Sequence, residues 1–169
     1  MTSPREQVAV RRKSVTFEEL LGFLKKDRLI DAAKEKRLLD RKDSQLGFLV
    51  RRALEEQKKG DTERRATIGP LELFMSFNER GEDDRPLRED AVTECYAKHI
   101  GFPYVKLDPL KLDPAFSVGV LSKPFAKKHG LLALEECSGV ITFATTDPFD
   151  SMALDSVERV TGKHLKLVI

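Results

Sequence analysis

Tryptophan is absent from this chain of 169 residues, tyrosine occurs twice, and only two cysteines are present. Cys95 and Cys137 cannot build the disulfide framework on which small secreted domains depend, and inside a cell they stay reduced. Two buried thiols are the expectation for them. No apolar run approaches the roughly 20 residues that span a bilayer. The N-terminal stretch Met1-Thr2-Ser3-Pro4-Arg5-Glu6-Gln7 also lacks the apolar centre of a signal peptide, so a cytoplasmic protein is expected. Missing too is any Gly-x-x-x-x-Gly-Lys-Ser/Thr sequence. Without it there is neither a backbone cradle for phosphates nor the lysine that reaches them.

What the chain has in quantity is charge, unevenly divided. Residues 1–67 hold 18 Lys+Arg against 12 Asp+Glu, a net +6, and residues 68–169 hold 12 against 16, a net −4. A basic N-terminal face suits an acidic protein, anionic lipid or nucleic acid, although solvated helices give the same asymmetry.

Hydrophobic periodicity divides the chain into a flexible leader over 1–16, a small helical unit over 17–59, a linker over 60–68 and an α/β domain over 69–169. The leader carries Arg11-Arg12-Lys13. Thr16 and Glu19 stand in capping-box positions ahead of the apolar Leu20, Leu21 and Leu24. A second helix is expected around Leu29, Ile30, Ala33 and Leu38, and a third around Leu46, Leu49, Val50, Ala53 and Leu54, capped by Asp43 or Ser44. Lys58 to Arg65 is polar and unperiodic. A short helix follows from Pro70 to Met75, with proline in its first turn, then a charged loop from Asn78 to Pro86. Leu87 to Ile100 reads as a helix stopped by Gly101.

Tyr104-Val105-Lys106-Leu107 is a strand candidate, and an interrupted helix runs from about Ser117 to Lys128 with Pro124 breaking or restarting it. Leu131–Glu135 and Val140–Ala144 read as a hairpin turning at Ser138-Gly139. Asp150 or Ser151 caps a helix carrying Met152, Leu154, Val157 and Val160, and a last strand follows Gly162. The expected fold is α/β: a helical N-terminal unit and a compact α/β sandwich with a small mixed sheet of about four strands.

Candidate chemistry is sparse. Cys95 and His99, four apart on one helix, count as two metal ligands, too few for a structural zinc site, so no metal is expected and the pair reads as core packing and a helix end. His129 and His164 lie near turns without an obvious partner. Glu135-Glu136 and Asp147/Asp150 are acidic pairs better explained by solvent and by turn formation than by acid–base work. The doublets Lys25-Lys26, Arg51-Arg52 and Arg64-Arg65 suggest nucleic acid, but interleaved carboxylates and the lack of an aromatic platform argue against it.

Three phrases stand in order: His99-Ile100-Gly101-Phe102-Pro103-Tyr104-Val105-Lys106-Leu107-Asp108, then Leu121-Ser122-Lys123-Pro124-Phe125-Ala126, then Val140 through Asp150. Together they resemble the N-terminal domain of the type II secretion and type IV pilus assembly ATPases, the GspE, PilB and MshE proteins, over about residues 68–169. The resemblance implies a non-catalytic docking domain that binds the cytoplasmic part of an inner-membrane platform protein (GspL/PilM-like), peripheral at the bacterial inner membrane. ATP and magnesium would belong only to a downstream ATPase domain of the parent, expected to be hexameric. This chain looks cut at a domain boundary, without cofactor or enzymatic activity of its own, and is expected to be monomeric.

Some members of the family bind cyclic di-GMP through a helical motif that opens on Arg-Leu-Gly. Leu21-Gly22-Phe23-Leu24 and Gln45-Leu46-Gly47-Phe48-Leu49-Val50 echo that motif, but Glu19-Leu20 and Gln45 stand where the arginine lead would fall. An arginine that pairs with phosphate or stacks on guanine is thus missing. The contact residues expected for the platform are the basic pair Arg51 and Arg52 and the apolar Leu73 and Phe74.

Overall fold

The computed structural model describes residues 14–58, 68–81 and 86–169, so the basic cluster at 11–13 and nearly all of the expected linker lie outside the described residues. Among the described residues two compact units emerge, one ending at Gly101 and the other running from Phe102 to Ile169. The division falls at Gly101/Phe102, and the helices at Pro70–Met75 and Glu89–Ile100 belong to the first unit.

In the first unit α1 (Phe17–Lys26) opens on the expected capping box, with Thr16 Oγ1 accepting from Glu19 N and Glu19 Oε2 accepting from Thr16 N. Its residues Phe17, Leu20, Leu21 and Leu24 are buried, as the 3.6-residue period requires. The helix ends in a Schellman arrangement: Leu29 N donates to Leu24 O and Arg28 N to Lys25 O, with Arg28 at φ 58° in the left-handed region.

Next comes α2 (Ala32–Lys58), one helix of 27 residues in place of the two expected from the sequence. Asp31 caps it, its Oδ1 accepting from Lys34 N, and Asp43 and Ser44 fall in its interior. No glycine or proline stands between Asp31 and Leu46, and the Lys, Arg, Glu and Leu residues there are strong helix formers, so nothing ends the helix at its charged middle. Leu38, Leu49 and Ala53 face inward. α3 (Pro70–Met75) and α4 (Glu89–Ile100) complete the unit, the latter stopped by Gly101 at φ 81°. The segment after α3 is tied to α2: Gln45 Nε2 donates to Ser76 O, Lys34 Nζ to the carbonyls of Arg80 and Gly81, and Arg37 pairs with Glu79.

The second unit is a three-stranded sheet with helices, one strand fewer than expected. A 3-10 turn at Pro109–Lys111 precedes α5 (Pro114–Val120) and α6 (Lys123–His129), so Pro124 restarts the helix within its first turn. β1 (Leu131–Cys137) and β2 (Val140–Thr145) pair antiparallel, and β2 and β3 (His164–Val168) pair parallel around α7 (Ser151–Thr161). The hairpin turns through Ser138 at φ 50° and Gly139 at φ 77°, the two positive values that match a tight turn to strand twist.

Tyr104–Leu107 forms no named strand. It makes a strap at the end of β3, with Ile169 N donating to Pro103 O and Val105 N to Ile169 O, and Pro103 has no N–H with which to extend the ladder. Ile141, Phe143, Leu165 and Leu167 from the sheet pack on Ala153, Leu154 and Val157 of α7 and on Leu121, Leu131 and Ala133. A bulge between Ala133 and Glu135 breaks the register of β1, and Ser117 Oγ donates to Ala133 O there at 2.7 Å.

Candidate functional site: an exposed apolar and basic helix face

Two turns of α2 carry the surface that burial leaves unexplained. Gly47, Val50, Arg51 and Leu54 stand at spacings of three, one and three, which places them on one face of the helix. Val50 is 39% exposed and Leu54 52%, and Phe48, which points to another side of the helix, is 53% exposed. Leu39, two turns earlier, is 37% exposed along the same side. Arg51 and Arg52 are exposed. A Cβ added at Gly47 would meet no atom within 4 Å, and the same holds at Gly22 in α1. Glycine inside a helix costs about 1 kcal/mol relative to alanine. Neither glycine is there to let another part of the described chain approach.

The other two expected contact residues are corrected by the structure. Leu73 and Phe74 are 3% and 1% exposed. They lie on the inward face of α3, in the unit that α1, α2 and α4 enclose, so they hold the core and offer no surface.

The remaining candidates resolve into local structure. Asp150 caps α7 by accepting from Ala153 N, and its Oδ2 lies 2.8 Å from His129 Nδ1, a partner the sequence did not suggest. Phe125 lies against the same imidazole at 4.5 Å. Asp147 accepts from Phe149 N in the expected turn. Glu136 pairs with Lys163 at 2.5 Å, and Glu135 accepts from Thr142 Oγ1 at 3.4 Å. These contacts cap a helix, close a turn and pair neighbouring strands.

Cys95 is buried, as expected, but its surroundings are polar on one side. Asp27, at the end of α1, sits beside Cys95 and His99 of α4: His99 Nε2 is 3.1 Å from Asp27 Oδ1 and Lys98 Nζ is 2.9 Å from Asp27 Oδ2. The Phe23 ring stacks on the imidazole with centroids 4.7 Å apart and planes 2° from parallel. The Lys98 ammonium, then the bonds from His99 and Cys95, hold the Asp27 carboxyl down at about 2. Burial and the neighbouring Asp27 push the Cys95 thiol up to about 12, so it is no nucleophile near neutral pH. Sequence reasoning missed Asp27 because only the packing of α1 on α4 brings it to residues so distant in the chain.

No described helix is long and apolar enough to cross a membrane. No curated protein matches the chain. One solved structure, described as MshE with cdg, aligns over 89% of this chain and 88% of its own at 18% identity and a TM-score of 0.49. The model of the MshEN domain matches residues 100–169, the span that contains the strap, both short helices, the hairpin and the β2-α7-β3 crossover. Residues 100–169 are thus similar to the MshEN domain, in agreement with the resemblance to the N-terminal domains of secretion and pilus-assembly ATPases.

Proposed function

We propose that this chain is a non-catalytic N-terminal module of a secretion or pilus-assembly ATPase, which docks the motor on the cytoplasmic part of an inner-membrane platform protein of the GspL/PilM kind. The observation that carries this reading is the face of α2 with Val50 and Leu54 exposed beside Arg51 and over an open Gly47. Apolar side chains displayed in series on a helix favour a partner that covers them, and flanking arginines favour an acidic rim on that partner. The match of residues 100–169 to the MshEN domain supports the family context. Charge reversal, Arg51→Glu with Arg52→Glu, is expected to abolish capture of the platform domain while leaving the circular dichroism spectrum intact. Unchanged capture by the folded double variant sinks the reading.

Cyclic di-GMP is the second reading, favoured by the open backbone at Gly22 and Gly47, where a flat ligand can approach a helix closely. Against it stands the absence of arginine at the head of both motif echoes. Calorimetric titration with the nucleotide at physiological salt separates the two. Saturable micromolar heat makes this a second-messenger sensor; no heat, with platform binding, leaves docking.

A further inference from the structure

We propose that Asp27, Cys95 and His99 form a binding site for a divalent transition metal of the zinc class. Their donor atoms, a carboxylate oxygen, a thiol sulfur and an imidazole nitrogen, all lie within 4.8 Å of one another. Thiolate with imidazole selects zinc or cobalt over magnesium or calcium, and three protein ligands plus one water complete a tetrahedron. Cys95 and His99 meet on one side of α4 because they are four residues apart, and the end of α1 supplies the third ligand.

The surroundings fit such a site. Stacking of Phe23 fixes the plane of the His99 ring, and Lys98, bonded to Asp27 Oδ2, leaves Oδ1 turned toward His99. Outer contacts of this kind orient ligands and hold them ready. On binding, the Cys95 thiol proton leaves to solvent and the sulfur bonds as thiolate. The His99 nitrogen that faces Asp27 binds through its lone pair, with any proton on the ring carried by the other nitrogen. No bond to carbon changes and no electron is transferred. A bound ion would tie the end of α1 to α4, replacing the His99 to Asp27 hydrogen bond with two metal bonds.

The full chain, stripped with chelator and titrated with Co²⁺, tests this. The expected result is a thiolate-to-cobalt band in the near ultraviolet that saturates at about one ion per chain and is displaced by Zn²⁺. The band is expected to vanish in Cys95→Ser and to persist in Cys137→Ser. Asp27→Asn and His99→Gln, each checked for folding by circular dichroism, are expected to weaken binding by at least about tenfold. Should Cys95→Ser fail to fold, Asp27→Asn decides. Absence of the band in folded wild type overturns the site, as does a band that survives in Cys95→Ser or is unaffected in folded Asp27→Asn.

Discussion

Single residues with unusual backbone carry opposite expectations. Gly130 ends α6 at φ 59°, and a Cβ there would lie 2.3 Å from Thr146 Oγ1. Gly130→Ala therefore meets both strain and a clash, and is expected to cost about 2 kcal/mol or more in urea unfolding. Arg28 occupies the corresponding left-handed position after α1 with an exposed side chain. Arg28→Gly is expected to gain up to about 1 kcal/mol by releasing that conformation. Asp27 adds a pH dependence. Its carboxyl sits at about 2 against an ordinary 3.8, so the unfolded chain takes up the proton first. The stability it contributes is whole above about pH 5 and is lost as pH falls toward 2. In chelator, the stability gap between wild type and Asp27→Asn is expected to narrow over that window; a gap that is constant with pH contradicts the assignment.

At the scale of the element, α2 is the decisive case. A helix beginning at Asp43 or Ser44 would accept proline in its first turn, whereas a helix running from Ala32 to Lys58 places that residue in the interior. Ser44→Pro is expected to cost about 3 kcal/mol or more, because it removes a hydrogen bond and collides with the preceding turn. A neutral result in thermal unfolding would restore the two-helix reading. The length of α2 also matters for its surface. Continuous helix keeps Leu39 on the same side as Val50 and Leu54, which a break at Asp43 would not ensure.

For the molecule as a whole, stability and binding are expected to part company at Gly47. Its Cβ position is open, so Gly47→Ala is expected to raise stability by about 0.8–1 kcal/mol. If the α2 face receives a partner or nucleotide at close range, the same substitution lowers the affinity for it. Calorimetric titration set beside a melting curve reads both effects, and a variant gaining stability at unchanged affinity removes Gly47 from the contact. Such an opposition is what separates a glycine kept for function from one that merely weakens a helix.

The local code of this protein lay open in its sequence. The capping box at Thr16, the proline-led helix at Pro70, the stop at Gly101, the Ser138-Gly139 hairpin and the Asp150 cap each depend on a few adjacent residues, and all are where those residues place them. The three phrases behind the family resemblance lie within or overlap residues 100–169 for the same reason, since they record local turns and strands. Tertiary structure decided the rest. Whether α2 is broken, which face of α3 is covered, and whether Tyr104–Leu107 gains a full strand partner depend on what packs nearby, and periodicity does not carry that information. Leu73 and Phe74 are apolar whether they face a partner or a core, and only the surrounding helices assign them to the core. Asp27 joins Cys95 and His99 through packing alone, because donors from separate helices meet only when the helices do.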